Sequence, residues 1–258
     1  MDGNDTLFGI RGKIAVVLGG TSGIGQAIAR GYAQAGATVI ASSRDQAKVE
    51  AMAREIERLG SPTLRITADV QDRAGLETLS QATVEAFGRV DILVVTSGVL
   101  QKMPSADFPE QEWNRIIDIN LNGAFRANQV FGRQMIRQMS GAIINTCSLT
   151  SFVSFSEVAA YGAGKAGVML LTKSLACEWA KYNVRVNALA PGVFRTPLNA
   201  HLLDIPERSA AIISKTPMGR LGRVEELVGA AIFLASEASS FVTGQVIAVD
   251  GGFLAKGI

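Results

Sequence analysis

The sequence has a single histidine, His201, which leaves almost no material for a Ser-His nucleophile pair or a multi-histidine zinc site. No metal centre is therefore expected. Cysteine is nearly as scarce. Cys147 and Cys177 stand in apolar stretches, and reduced structural thiols are expected rather than a disulfide. Charge of one sign is also missing: 25 basic and 23 acidic residues leave a formal net charge of +2, with no electrostatic case for nucleic acid or a membrane surface. Long hydrophobic runs are absent, since the longest apolar helix candidate, around residues 159–177, carries Lys165 and Lys173. The N-terminal stretch MDGNDTLFGIRGK has no apolar signal core, so a cytoplasmic protein is expected. Gly164-Lys165 is followed by Ala166 rather than Ser or Thr and has no glycine five positions before Gly164, which excludes a phosphate-binding P-loop.

What is present is apolar content of 48% over 258 residues, enough for a sizeable core. Short apolar runs alternate with amphipathic segments. Seven strands are expected at Ile14–Leu18, Ala37–Ser42, Leu64–Ala68, Asp91–Val95, Ala142–Cys147, Val184–Leu189 and Gln245–Val249. Helical patterns fall at 24–35, 45–59, 73–87, 110–138, 158–181 and 223–236. The alternation argues for α/β architecture: one doubly wound parallel sheet in a single domain spanning 1–258. Residues 193–218, with Pro197, Pro206 and Pro217, break the rhythm after the sixth strand and read as a substrate lid.

The first strand runs directly into VVLGGTSGIGQAIA, where Gly19, Gly23 and Gly25 follow the spacing G-x-x-x-G-x-G. Glycines between a first strand and a first helix permit a tight turn and close backbone approach to a pyrophosphate, which the helix N-terminus favours. About 20 residues later, where an NAD site would hold an acid against the ribose, the chain has Ser43 and Arg44. A hydroxyl and a guanidinium suit a 2′-phosphate, so NADP(H) is expected over NAD(H). Asp45, the competing acid, opens the helical run and reads as its N-cap. Asp69, after the third expected strand, is placed to meet the adenine.

The stretch AAYGAGKAG puts Tyr161 and Lys165 four residues apart, on one helical face, among glycines that each cost about 1 kcal/mol relative to Ala. One reading is tight packing around a core tyrosine. The other is a phenol beside an ammonium, with a ligand approaching that face.

The segments LGGTSGIG (18–25), ADV (68–70), INLNG (119–123), NTCSLTS (145–151), YGAGK (161–165), VRVNALAPG (184–192) and VDGG (249–252) together resemble the short-chain dehydrogenase/reductase family across nearly the whole chain. The resemblance implies a Rossmann-type fold and a catalytic set of Asn120, Ser148, Tyr161 and Lys165. It implies a dinucleotide held by Gly19, Thr21, Ser22, Gly23, Ile24, Gly25, Ser43, Arg44, Asp69, Val70, Thr96, Ser97, Gly98, Tyr161, Lys165, Pro191, Gly192, Val193 and Thr196. In these roles Tyr161 exchanges a proton with the substrate oxygen and Lys165 lowers the phenol's pKa while meeting the ribose. Ser148 holds the substrate oxygen, and Asn120 anchors a relay water. The glycines beside Tyr161 are then expected to admit cofactor and substrate. The chain departs from the family at Leu18-Gly19, where Thr-Gly is usual, and at Val95-Thr96-Ser97-Gly98, where Asn-Asn-Ala-Gly braces the sheet.

The implied reaction interconverts a secondary alcohol and a ketone. Lys102, just past the fourth expected strand, is placed either to meet a sugar acid's carboxylate or to be a solvated loop lysine. Phe152, Val153 and Phe155 favour something more apolar, such as a 3-oxoacyl chain. Members acting on gluconate and deoxygluconate match the C-terminal DGGFLAKG better, so a sugar acid or polyol is expected, with an acyl reductase or a non-catalytic nucleotide-binding relative as alternatives. A homotetramer is expected from the resemblance and from the apolar end bearing Phe253, Leu254 and Ile258.

Overall fold

A computed structural model describes residues 7–256. Six strands form one parallel sheet: β1 (Ile14–Leu18), β2 (Thr38–Ser42), β3 (Ile92–Val95), β4 (Gly141–Thr146), β5 (Val184–Pro191) and β6 (Val246–Val249). Their order is β2-β1-β3-β4-β5-β6. Helices α1 (Gly23–Gln34), α2 (Gln46–Arg58), α3 (Arg73–Phe87), α4 (Glu110–Ile117), α5 (Gly123–Gln138), α6 (Ala159–Trp179), α7 (Ala200–Leu203), α8 (Pro206–Lys215) and α9 (Val228–Ala235) connect them.

Strand β1 shows why the sheet is covered on both sides. Val16 and Leu18 enter one apolar cluster with Leu93 and Phe131; Ala15 and Val17 enter the other with Ile28 and Tyr32. Successive side chains of a strand point to opposite faces, so an all-apolar IAVVL needs a helical layer on each. Burying each large aliphatic side chain contributes about 1.5–3 kcal/mol. Leu18 is in register with both Ser42 and Val95, so the chain leaves β1 and its neighbours along one edge of the sheet. The chain passes from β1 to β2 on one side and onward to β3 on the other, and the crevice at that reversal is where such sheets bind ligands.

The expected seventh strand at Leu64–Ala68 does not form. That segment runs beside β2 without a ladder, tied instead by single bonds. The Ser61 hydroxyl donates to the Ala37 carbonyl (2.9 Å), the Ser42 hydroxyl to the Ile66 carbonyl (2.7 Å), and the Ala68 N–H to the Ser43 carbonyl (3.1 Å). Side-chain hydroxyls take the place of backbone partners, and Pro62 removes a donor at its start. The helix expected at 110–138 is likewise interrupted, by a π turn at Asp118–Asn122. The segment at 223–236 begins with a 3-10 turn, Val224–Leu227, and continues as α9.

A buried polar relay locks β4 to the helices that flank it. Asn145 on β4 donates to the Thr172 hydroxyl of α6 at 3.1 Å, and Asn128 of α5 donates to Asn145 at 2.7 Å. Every member finds a partner, as buried polar groups must. This fixes α6, and with it Tyr161 and Lys165, against the end of β4 that carries Ser148.

Candidate active site

The nucleotide end is a cavity of about 270 Å³ at the switch point, lined by Gly19, Thr21, Ser22, Gly23, Ile24, Gly25, Ser43, Arg44, Asp69, Val70, Thr96, Ser97, Gly98 and Thr196 among others. Gly19 sits at φ +76°, and a Cβ on Gly25 would lie 2.3 Å from the Gly19 carbonyl oxygen. No other residue type fits that turn. Ser22 precedes α1 without capping it through its side chain, so the first-turn N–H groups face the cavity unpaired. These are the donors an anionic dinucleotide needs, and the residues fit one.

Asp45 is the N-cap of α2, its carboxylate accepting from the Lys48 N–H at 3.1 Å, and it lines the cavity as well. Arg44 stays largely exposed at the cavity rim, 3.9 Å from Asp69. Thr21 donates to the Ser43 hydroxyl at 2.8 Å. Lys48 lines the same rim and was not among the expected residues. Its signal was its place in the first turn of α2, where it stands beside Arg44 and pairs with Asp45 at 3.6 Å.

The two departures from the family pattern compensate each other. The Thr96 hydroxyl donates to the Leu18 carbonyl at 2.8 Å, so the strand-end tie missing from position 18 is made from β3. The Thr96 hydroxyl occupies the space that a Cβ on Gly19 or Gly25 would need, 2.7 and 2.4 Å away.

Ser148, Tyr161 and Lys165 meet in a smaller cavity of about 110 Å³ with Cys147, Pro191, Gly192 and Thr196. Ser148 follows β4 directly and caps the 3-10 turn Leu149–Ser151. Ser151 in turn donates to the Lys165 carbonyl at 2.8 Å, linking that turn to α6. The Lys165 Nζ donates to the Thr146 carbonyl at 2.7 Å and lies 5.8 Å from the Tyr161 ring centroid.

The electrostatics differ from expectation. Tyr161's phenol is held above its usual value, because burial opposes the phenolate more than the nearby Ser148 hydroxyl favours it. Burial also pulls Lys165 down, to about 8. Each charged form is disfavoured by the same dry surroundings, and Lys165 is turned toward Thr146. Cys147 is buried beside them with its thiol pushed up to about 11 by desolvation. Both cysteines are free thiols, as expected, with Cys177 exposed rather than packed in an apolar core.

Asn120 lies in the π turn, its amide donating to the Val99 carbonyl (2.8 Å) and its oxygen accepting from the Val99 N–H (2.9 Å). It stands behind Gly98, where an added Cβ would come within 2.9 Å of Asn120 and 3.7 Å of the Lys165 Nζ. It packs against that wall rather than lining a cavity. Two of the three α6 glycines serve packing, while a Cβ on Gly162, next to Tyr161, would have only Thr150 near it, at 3.8 Å, which leaves that side of the tyrosine open. A Cβ on Gly164 would lie 3.3 Å from Asn120, and one on Gly167 2.8 Å from Leu121. The space beside Gly164 and Gly167 belongs to the π turn.

A third cavity, about 330 Å³, opens from Ser148 and Tyr161. Leu149, Phe155, Val158, Pro191, Gly192 and Val193 form one wall, and Leu202, Arg208, Ile212 and Lys215 from α7 and α8 form the other. Phe155 lines it as expected, but Phe152 does not. Phe152 and Val153 leave the 3-10 turn outward and are 46% and 41% exposed. Lys102 lines the cavity mouth but is ion-paired with Glu157, so its charge is already met. Phe253 packs edge-on against Phe155, ring centroids 5.7 Å apart, because Asp250 accepts from the Gly252 and Leu254 N–H groups and turns the chain back. Phe253 and Leu254 are half-buried, and Ile258 lies outside the described residues.

Among the described residues no helix is long and apolar enough to cross a membrane, and no group of acidic, His or Cys side chains has metal-binding geometry. A family model described as enoyl-(acyl carrier protein) reductase matches residues 19–254. The 2-dehydro-3-deoxy-D-gluconate 5-dehydrogenase of Dickeya dadantii is 38% identical over 96% of this chain and 98% of its own. The 3-oxoacyl-(acyl-carrier-protein) reductase of Thermotoga maritima is 36% identical over 95% and 99%. The crystal structure of a gluconate 5-dehydrogenase from Burkholderia cenocepacia in complex with NADP and tartrate superposes with a TM-score of 0.94 at 38% identity, covering 97% of this chain and 98% of that one. The glycine turn at the switch point, the Ser148–Tyr161–Lys165 cluster beside it and these full-length likenesses agree: the chain belongs to the short-chain dehydrogenase/reductase family.

Proposed function

We propose that the protein is an NADP(H)-dependent oxidoreductase that interconverts a secondary alcohol and a ketone on a sugar acid. The observation that carries this reading is the junction of three cavities at one cluster. The nucleotide cavity with Arg44 and Lys48 at its rim, the Ser148–Tyr161–Lys165 centre and the cation-bearing third cavity share lining residues. Dehydrogenases of gluconate and deoxygluconate among its relatives, one of them solved with NADP, support it.

The dinucleotide, when bound, supplies or accepts the hydride. Arg44 and Lys48 would meet its 2′-phosphate, and the open N–H groups of α1 its pyrophosphate. The Ser148 hydroxyl donates to the substrate oxygen and favours the charge that forms on it. Tyr161 gives its proton to that oxygen as the ketone becomes an alcohol, and takes it back in the reverse direction. Because burial holds the phenol above its usual value, the phenol keeps its proton near neutral pH, the form reduction requires. Lys165 presents its ammonium to the same space, held by Thr146. Asn120 fixes Val99 and Gly98 beside Lys165, and residues 193–218 act as the lid.

The apolar wall formed by Leu149, Phe155, Val158, Leu202 and Ile212 favours a second reading, a 3-oxoacyl reductase. Half-exposed Phe125 and 65%-exposed Leu170, on the adjoining helices α5 and α6, support a homotetramer, which light scattering reads directly. Activity on D-gluconate or 2-dehydro-3-deoxy-D-gluconate, followed by nicotinamide absorbance with NADP(H) and with NAD(H), tests the proposal. Tyr161→Phe should lower turnover at least about 10³-fold with NADPH affinity unchanged. Near-wild-type rates in that variant, or faster turnover of 3-oxoacyl thioesters, would refute it.

A further inference from the structure

Two buried side-chain atoms among the described residues have no hydrogen-bond partner: the Thr150 hydroxyl oxygen and the Arg208 Nε. Both residues line the third cavity. Buried polar atoms are paired in the great majority of cases, so an orphan is a site waiting for something. Two orphans on residues distant in sequence that both line one cavity beside Ser148 and Tyr161 define what that something must offer.

Arg208 is hard to explain otherwise. It sits in the first turn of α8, where the helix dipole disfavours a cation. It forms no ion pair or hydrogen bond among the described residues. Every other cation of the cavity differs from it: Lys102 is neutralised by Glu157, and Lys215 has an exposed side chain at the far end of α8. The lining residues include no carboxylate at all. A guanidinium is a planar fork that binds a carboxylate through two parallel N–H donors.

We infer that Arg208 is the anchor for the substrate's carboxylate and that Thr150 meets a hydroxyl near the reacting carbon. This rests on the sugar-acid reading and replaces Lys102, whose charge is already engaged. The anchor is carried by α8, so the charged end of the substrate meets the lid segment while its reacting carbon meets Ser148 and Tyr161. The hydrocarbon tail of an acyl chain carries neither a carboxylate for Arg208 nor a hydroxyl for Thr150. Substrate choice is thereby set by groups on two sides of the cavity: a hydroxyl on the turn that also carries Ser148, and a guanidinium opposite.

The test compares wild type, Arg208→Gln and Arg208→Lys with NADP+ on D-gluconate and 2-dehydro-3-deoxy-D-gluconate, and on D-glucitol, which has a hydroxymethyl group where gluconate has its carboxylate. Arg208→Gln should raise KM for the better acid about 10- to 100-fold, the loss expected for a charged hydrogen bond. Its kcat should stay within about threefold of wild type, since Arg208 lies away from the reacting atoms. Its kcat/KM on glucitol and its KM for NADP+ should not change, and Arg208→Lys should recover part of the loss. As a readout without turnover, gluconate should raise the Tm of the NADPH-loaded wild type, with which it cannot react, and not that of Arg208→Gln. An unchanged KM for the acid in a folded Arg208→Gln enzyme would overturn the anchor alone. A wild type that prefers glucitol to both acids would overturn the sugar-acid reading and the anchor with it.

Discussion

Replacing Lys165 by Met should make the protein more stable while it loses its activity. The side chain is buried, and desolvation lowers its pKa from 10.5 to about 8. At 1.36 kcal/mol per pH unit this difference corresponds to about 3 kcal/mol of folding free energy withheld while the ammonium is charged. Between pH 8 and 10.5 the unfolded chain holds a proton that the folded chain has released, so wild-type stability rises with pH across that window. Below pH 8 the penalty is complete. Met keeps the apolar stem and removes the charge, but it also removes the 2.7 Å bond from the ammonium to the Thr146 carbonyl, a charged hydrogen bond, which takes back about 2 kcal/mol. A net gain of about 1 kcal/mol at pH 7 corresponds to a Tm about 2–4 °C higher for a chain of this size. The assay is thermal unfolding without added dinucleotide, from pH 7 to 10. The advantage of Lys165→Met should be full at pH 7 and shrink steadily above pH 8. A variant that melts at or below the wild type at pH 7, or an advantage that does not fall with rising pH, would show that the ammonium is not penalised by its surroundings. Such a trade of stability for function is common where a charge is held in a dry site.

The cofactor rim offers a second expectation. Arg44→Ala with Lys48→Ala should weaken NADPH about tenfold, as expected for lost charged phosphate contacts, and leave NADH unchanged in a fluorescence titration. Ser43→Asp with Arg44→Ala should move preference toward NADH; tighter wild-type binding of NADH than NADPH would refute the assignment. Thr96→Val keeps the shape and removes the donor to the Leu18 carbonyl, so it should cost about 1 kcal/mol. That cost should appear as a Tm about 2–4 °C lower, and an unchanged Tm would mean the strand ends are held without it.

Much of the molecule could be read from the order of its residues, because the signals are local. An all-apolar IAVVL followed by a glycine turn and a helix reads as a covered strand leading into a turn suited to a dinucleotide's pyrophosphate. Tyr161 and Lys165 share a face by helical periodicity alone, and Asp45 opens α2 as its cap. Where local signals were incomplete the expectation failed. Leu64–Ala68 has strand-like residues but meets β2 through hydroxyls and one backbone bond, which no periodicity encodes.

Tertiary structure alone decided who meets whom, because partners and burial are fixed by contacts between residues far apart in the chain. Gly164 and Gly167 fit both readings until Asn120 and Leu121 fill the space a Cβ would take. Lys102 reads as a free cation until Glu157, 55 residues later, neutralises it. Lysine beside tyrosine suggests a depressed phenol pKa, yet shared burial raises the phenol and lowers the ammonium instead. Arg208 carries no motif at all. Only the folding of α8 over the cavity leaves its Nε buried and unpaired there, so its role becomes visible in three dimensions and nowhere earlier.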